Sequence, residues 1–267
     1  MLLYFSEYNN ACFNKQHYIL CDDYEWWLHQ SGDCNSGNGF ATAGHTERGA
    51  AINSGFNNKI SDYLRLVGSL DDSSRIFSYH RTLIAGHGAD SSFALGWRNE
   101  HDQRVRFDAL AGIADLNGKT VMDAGCGYAD LYPFLKERYP EIAHYYGVEQ
   151  ITELADKAIT RYGHLPDTTF IARNFLHADL PNCDYVLASG SLNYGSSVNG
   201  FIYKAIEKLY SYCTIGLGFN LLRYMPVDGT LVAYDPDEIL TFCKTLSLNV
   251  IIKTDYDEVD FTIFIYR

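Results

Sequence analysis

The sequence predicts an α/β protein: a doubly wound, mostly parallel seven-stranded sheet with a C-terminal antiparallel hairpin, preceded by an N-terminal extension. Three observations carry this. Residues 121–131, VMDAGCGYADL, read as a short apolar strand that breaks through Gly125 and Gly127 into a helix. Further on, YYGVEQ is a second strand that closes on the carboxylate of Glu149. From there strands and helices alternate until two strands follow each other across a tight turn, which forces them antiparallel.

The elements follow in order. Leu131, Phe134 and Leu135 set the helix after the glycine turn, and Pro133 sits in its first turn, where a missing N–H costs nothing. Ile151, Leu154, Ala155, Ala158, Ile159 and Tyr162 recur at helical spacing and make the next helix. Thr168 to Ala172 is β-branched and aromatic, a strand. Cys183 to Ser189 is a continuous apolar strand suited to a buried parallel sheet. A helix over Phe201 to Tyr210 leads to a fifth strand over Cys213 to Leu221. Asp235, Pro236 and Glu238 mark a helix start, with Asp235 as N-cap and Glu238 reaching back to it. Val250 to Lys253, a turn near Asp255-Tyr256-Asp257, and Phe261 to Tyr266 complete the hairpin. Right-handed crossovers then give the doubly wound order.

Residues 1–76 follow no such plan. Residues 31–58 are rich in Gly, Ser and Asn and read as a long loop, flanked by Tyr24, Trp26, Trp27 and a helix over Lys59 to Leu70. The expected organisation is an extension over 1–76 and a catalytic-type domain over 77–267. The extension reads either as a lid or substrate cover or as an extra packing layer.

Composition narrows the function. A chain of 267 residues that is 47% hydrophobic builds a sizeable core. Its formal net charge of −12 argues against duplex DNA or long RNA as a partner, since such binders need a basic footprint. The opening MLLYFSEYNN does not read as a signal peptide, and no segment has the apolar length of a membrane span. Seven cysteines without a C-x-x-C pair fit reduced thiols, and the expected location is cytoplasmic. Cys12, Cys21 and Cys34 lie near His17, His29 and His45, but their spacings match no familiar zinc site.

A strand that enters a helix through glycines lets backbone approach an anionic or nucleoside ligand, and a strand-end carboxylate suits a ribose diol. A dinucleotide fingerprint wants glycine where Asp130 stands, which disfavours a nucleotide-dependent oxidoreductase. The pattern present is D-x-G-x-G-x-A: Asp123, Gly125, Gly127, Ala129. It resembles the first motif of class I (Rossmann-like) S-adenosylmethionine-dependent methyltransferases, and the resemblance runs from about residue 77 to the C-terminus. The lead-in GWRNEHDQRVRFDAL, with Gly96-Trp97, Gln103 and Arg106-Phe107, is similar to that of a bacterial group of such enzymes.

The resemblance implies S-adenosyl-L-methionine as cofactor, a small-molecule or metabolite acceptor, and an in-line methyl transfer. It puts Asp123, Gly125 and Gly127 at the methionine end, with Cys126 as a small apolar filler in the turn. Glu149 takes the ribose hydroxyls, Gln150 and Ile151 flank the adenine, and Asn174-Phe175 stands where the family often has an acid followed by an apolar residue. Arg106 is a candidate clamp for the cofactor carboxylate; an ordinary solvated helix arginine is the alternative. Ser189, in SGSLNYG at the end of the fourth strand, faces the sulfonium. That stretch lacks the Asp/Asn-Pro-Pro-aromatic signature of amide and exocyclic-amine methylation. Asp184 lies at the wrong end of its strand for a magnesium site, so no metal is expected. Candidate bases are His80 and Tyr194, with His87 behind them. Two other readings stay open: a methyltransferase acting on a protein or tRNA, and a non-catalytic S-adenosylmethionine-binding protein.

Overall fold

A computed structural model describes residues 72–88, 91–224 and 229–267. The chain divides into two compact units, Met1–Gly55 and Phe56–Arg267, and the described residues all belong to the second. The long loop over 31–58, Tyr24, Trp26, Trp27, the helix over Lys59 to Leu70 and the N-terminal cysteine and histidine set lie outside them.

A helix, α1, runs through 72–87 and so crosses the boundary expected between 76 and 77. A 3-10 turn at Ser92–Leu95 leads to α2, Glu100–Ala111, whose N-cap Asn99 accepts from the Asp102 N–H. There follow β1 (Thr120–Ala124), α3 (Leu131–Arg138), β2 (His144–Val148), α4 (Thr152–Tyr162), β3 (Thr168–Ile171) and β4 (Cys183–Ala188). The chain ends with α5 (Phe201–Tyr212), β5 (Cys213–Leu222), α6 (Pro236–Leu246), β6 (Val250–Lys253) and β7 (Asp260–Tyr266).

The seven strands lie in the order β3-β2-β1-β4-β5-β7-β6. Only β7 is antiparallel to its neighbours β5 and β6. The chain winds one way from β1 through β3 and the other way from β4, so β1 and β4 flank a topological switch point. The loops at their C-terminal ends diverge there and leave a crevice, where open α/β sheets take ligands.

The strand alternation assigns each face. Met122, Ala124, Val148, Val186 and Leu217 point to the side covered by α5 and α6, through Ile202, Ile206 and Leu209 and through Ile239 and Cys243. Val121, Tyr185, Leu187 and Phe264 point to the other side, under Phe107, Leu110 and Ala111 of α2. Tyr145 continues that face against Tyr132 of α3 and Ala158 of α4. At the start of α6, Asp235 accepts from Asp237 N and Glu238 N, at 2.9 and 3.0 Å. The reciprocal half of the expected capping box is replaced, because the Glu238 carboxylate takes the phenol of Tyr203 from α5.

Candidate active site

The turn after β1 is built on left-handed backbone. Gly125 and Gly127 have φ of 81° and 56°. Ala129, at 59°, is the one non-glycine with positive φ among the described residues, and it stands where a third glycine is frequent. The turn is pinned to β2: Gly125 N and Cys126 N both donate to Val148 O, at 2.8 and 3.0 Å.

Glu149, one residue past β2, is 7% exposed. Its Oε2 accepts from Gly127 N at 2.9 Å and its Oε1 from Ile151 N at 2.8 Å. Burial pushes its carboxyl above the usual range, and the backbone N–H groups of Ile151, Gly127 and Gln150 pull it back down. One carboxylate thus fixes the glycine turn to the start of α4.

Asp123, expected at the methionine end, has its carboxyl buried beneath the glycine turn. Its carboxyl lies on the face that carries Tyr145, opposite Gly147, and is 2% exposed. Oδ2 accepts from the Tyr145 hydroxyl at 2.6 Å, while Oδ1 is buried with no hydrogen-bond partner. Burial raises its pKa to about 7; the Tyr145 bond lowers it, and the charges of Glu149 and Asp130 add to the rise. Strand alternation is the cause: Asp123 shares a face with Val121, so it points beneath the turn.

A roof covers the switch point. On α1, Asp72 accepts from Ser196 Oγ at 2.6 Å and from Ser197 N at 3.0 Å, both in the loop after β4. Arg81 pairs with Glu153 in the first turn of α4 at 2.9 Å. Ile76 and Phe77 between these tethers, and Ile84 beyond them, pack with Leu95 on Ala94, Tyr128, Ile151 and Leu154. The glycines beneath show how close the cover is. A Cβ on Gly125 would stand 2.3 Å from Ser191 Cβ, one on Gly127 2.9 Å from Leu95, and one on Gly190 3.0 Å from Trp97.

No protein-family model matches the sequence, and no curated protein matches it. Solved structures do match. The magnesium protoporphyrin IX methyltransferase of Synechocystis with bound S-adenosylhomocysteine aligns at TM-score 0.55 and 15% identity, over 74% of this chain and 99% of that one. An O-methyltransferase family protein from Burkholderia thailandensis aligns at 0.52 and 14%, over 62% of this chain and 56% of that one. A chain of the complex between the Haloferax volcanii Trm112 methyltransferase activator and the putative methyltransferase aligns at 0.51 and 12%, over 62% and 90%. The chain has the class I methyltransferase fold.

Within that methyltransferase fold the other expected site residues divide. Ile151 is 3% exposed and forms the apolar floor beside Glu149. Gln150 Oε1 accepts from Asn174 Nδ2 at 2.7 Å, so the two amides are joined. Asn174 Oδ1 meanwhile accepts from Leu176 N at 2.8 Å, the geometry of a turn residue, and Phe175 packs at the edge of the core. Arg106 does not present its charge to the crevice. Its Nε donates to Asp260 Oδ2 at 2.6 Å, Nη2 pairs with the same oxygen, and the guanidinium lies 4.8 Å from the Trp97 ring centroid. The burial of Asp260 explains the difference, since a 1%-exposed carboxylate takes the nearest cation. Ser189 Oγ donates to Asn220 Oδ1 at 3.2 Å, and Asn220 Nδ2 donates to Thr262 Oγ1 at 2.6 Å. Cys126 is buried, and burial raises its thiol well above the usual range, which suits a filler.

His80 and Tyr194 are brought together, 2.6 Å apart between Nε2 and Oη. His87 stands apart from them, exposed beside Phe93. Asp184 takes Thr120 N, at 2.9 Å, at the opposite edge of the sheet. Among the described residues no group of three His, Cys, Asp or Glu is placed to hold a metal. No helix there is long and apolar enough to cross a membrane. Leu95, Ser191 and the tethers of Asp72 and Arg81 went unread in the sequence. Ile76, Phe77, His80 and Ile84 form a helical stripe, the one signal there that marks a helix laid over an apolar surface.

Proposed function

We propose that this protein transfers a methyl group from S-adenosylmethionine to a small-molecule acceptor. The observation that carries this is Glu149 at the end of β2. A carboxylate offers about four lone-pair positions. The N–H groups of Gly127, Ile151 and Gln150 use three of them, which presets the carboxylate and leaves one position for a ribose hydroxyl. The donor set fits a nucleoside: a preset carboxylate, the apolar floor of Ile151, and the joined amides of Gln150 and Asn174. Gly125 and Gly127 let the backbone come close at the methionine end, beside Cys126 and Ser189.

When bound, the cofactor supplies a methyl on a positively charged sulfur, already activated for displacement. The chain's own residues add alignment and exclusion of water. Glu149 orients the ribose, and α1 with Leu95 and Trp97 roofs the crevice. The net charge of −12 favours a small acceptor over a nucleic acid. The similarity to the Synechocystis enzyme and to the Burkholderia O-methyltransferase family protein supports the same reading.

Calorimetry with S-adenosylhomocysteine tests it. Wild type binds at micromolar strength. Glu149→Ala removes a hydrogen bond to a charged acceptor, at about 1.5–3 kcal/mol, and weakens binding on the order of 10- to 100-fold. Near-ultraviolet circular dichroism checks that the variant keeps its packing. Unchanged affinity in a folded variant refutes the reading.

A further inference from the structure

We infer that His80 and Tyr194 form a proton relay for the methyl acceptor, and that the acceptor is a hydroxyl group of a small molecule. The inference rests on the cofactor reading above and adds to it the class of acceptor and the path of its proton.

The hydrogen bonds set the tautomer of the pair, and burial keeps the ring neutral. His80 is 4% exposed. Its Nδ1 lies 3.2 Å from the carbonyl oxygen of Ala94, which can only accept, so Nδ1 carries the hydrogen. Nε2 therefore holds a lone pair, and the Tyr194 hydroxyl 2.6 Å away donates to it. Tyr194 Oη keeps its own lone pairs for a donor. Tyr79 locks the arrangement edge-on, with ring centroids 5.2 Å from His80 and 6.3 Å from Tyr194. The pair joins the roof helix to the loop after β4, over the crevice where the cofactor reading places the methyl group.

A hydroxyl is the acceptor that needs such a pair. An alcohol or phenol is a poor nucleophile until its proton leaves, whereas a carboxylate is already ionised, a thiol ionises readily and a neutral amine attacks with its own lone pair. In the relay the acceptor O–H bond breaks and its proton goes to Tyr194 Oη, while the Tyr194 proton goes to His80 Nε2. The acceptor oxygen gains the methyl as the carbon–sulfur bond breaks with its electron pair left on sulfur. The products are a methyl ether, S-adenosylhomocysteine and an imidazolium whose Nδ1–H still faces Ala94 O. Release of that proton to solvent resets the pair.

The surrounding groups suit this passage. Tyr79 and Arg81 flank His80 on α1, Tyr194 faces it from the loop after β4, and Glu149 lies at the end of β2. Glu153 on α4 is already paired with Arg81. Burial holds the imidazole below its ordinary range, so it is neutral and ready to accept at neutral pH. Burial, with Tyr79 and Glu149, pushes the Tyr194 hydroxyl far above its ordinary range, so a free tyrosinate does not form and the two protons move together. Tyr194 is thus the catalytic residue and His80 its positioning residue.

The test uses the full chain, methyl-labelled S-adenosylmethionine and three probes: phenol, thiophenol and aniline. Phenol is methylated by wild type. Tyr194→Phe and His80→Gln each slow that reaction about 100-fold or more, with S-adenosylhomocysteine affinity within about two-fold of wild type. His80→Gln is the decisive variant, because its amide oxygen still accepts from Tyr194 and keeps the tether, yet cannot take the proton. The wild-type rate falls on the acid side as His80 protonates, and that limb is lost in His80→Gln. Nitrogen chemical shifts in the resting protein report His80 neutral with hydrogen on Nδ1. Wild-type turnover in His80→Gln makes the pair a structural tether and overturns the relay. Methylation of thiophenol or aniline alone, or of no probe while S-adenosylhomocysteine binds, overturns the hydroxyl assignment. Failure of wild type to bind S-adenosylhomocysteine overturns the cofactor reading, and the relay with it.

Discussion

Replacing Asp123 with Asn alters how stability depends on pH, and the structure sets the size of the effect. The folded protein raises the Asp123 pKa from 3.8 to about 7 because the carboxyl is buried with one oxygen unpartnered. Between those values the folded state holds a proton that the unfolded state has released. Stability therefore falls as pH rises through that window and is level above it. At about 1.36 kcal/mol per unit, the full fall is on the order of 4 kcal/mol. Asn has the same shape and does not ionise, and any cost of its unpartnered amide is the same at every pH. His80, lowered, is present in either protein and cancels in the difference, while Glu149, also raised, is coupled to Asp123 by charge, so the difference reports the buried acid together with that coupling. Urea denaturation in buffers from about pH 4 to about pH 8 measures it. Wild type should lose on the order of 4 kcal/mol relative to Asp123→Asn across that range. Parallel profiles for the two proteins refute the argument that a buried acid beneath the turn titrates near neutrality.

Other substitutions probe the turn and the buried ion pair. Gly125→Ala puts a Cβ 2.3 Å from that of Ser191 at a φ of 81°, so thermal unfolding should show a loss of about 2 kcal/mol or more, and calorimetry a loss of S-adenosylhomocysteine binding. Arg106→Leu leaves Asp260 charged and alone, at about 3–5 kcal/mol; adding Asp260→Leu should restore much of that, and a double variant no more stable than the single one contradicts a structural pair. Duplex DNA should show no salt-sensitive affinity in an anisotropy titration at physiological ionic strength, given a net charge of −12.

Periodicity and turn chemistry made most of the sheet readable before any coordinates. The stripe from Ile151 to Tyr162 and the apolar run from Cys183 each fix an element by its own repeat, and β7 had to reverse because so few residues separate it from β6. What escaped was long-range pairing. Arg106 and Asp260 are far apart in the chain, and no local pattern tells an arginine that faces a ligand from one that faces a buried acid. The Asp123 carboxyl is a different case: the motif says where the residue is, but the alternation of β1 decides where its carboxyl points. Glu149 was legible because its position is set by the strand end itself. The joining of His80 and Tyr194 depends on α1 lying across the loop after β4, which no spacing in either segment records.

The two tethers of the roof helix are of unlike chemistry, and this makes them unequal in salt. Asp72, 7% exposed, accepts from a hydroxyl and a backbone N–H at once, bonds that salt scarcely touches. The Arg81–Glu153 pair is 66% and 44% exposed, so it contributes little and is screened by ions. Raised salt therefore weakens the Arg81 tether and leaves the Asp72 tether in place.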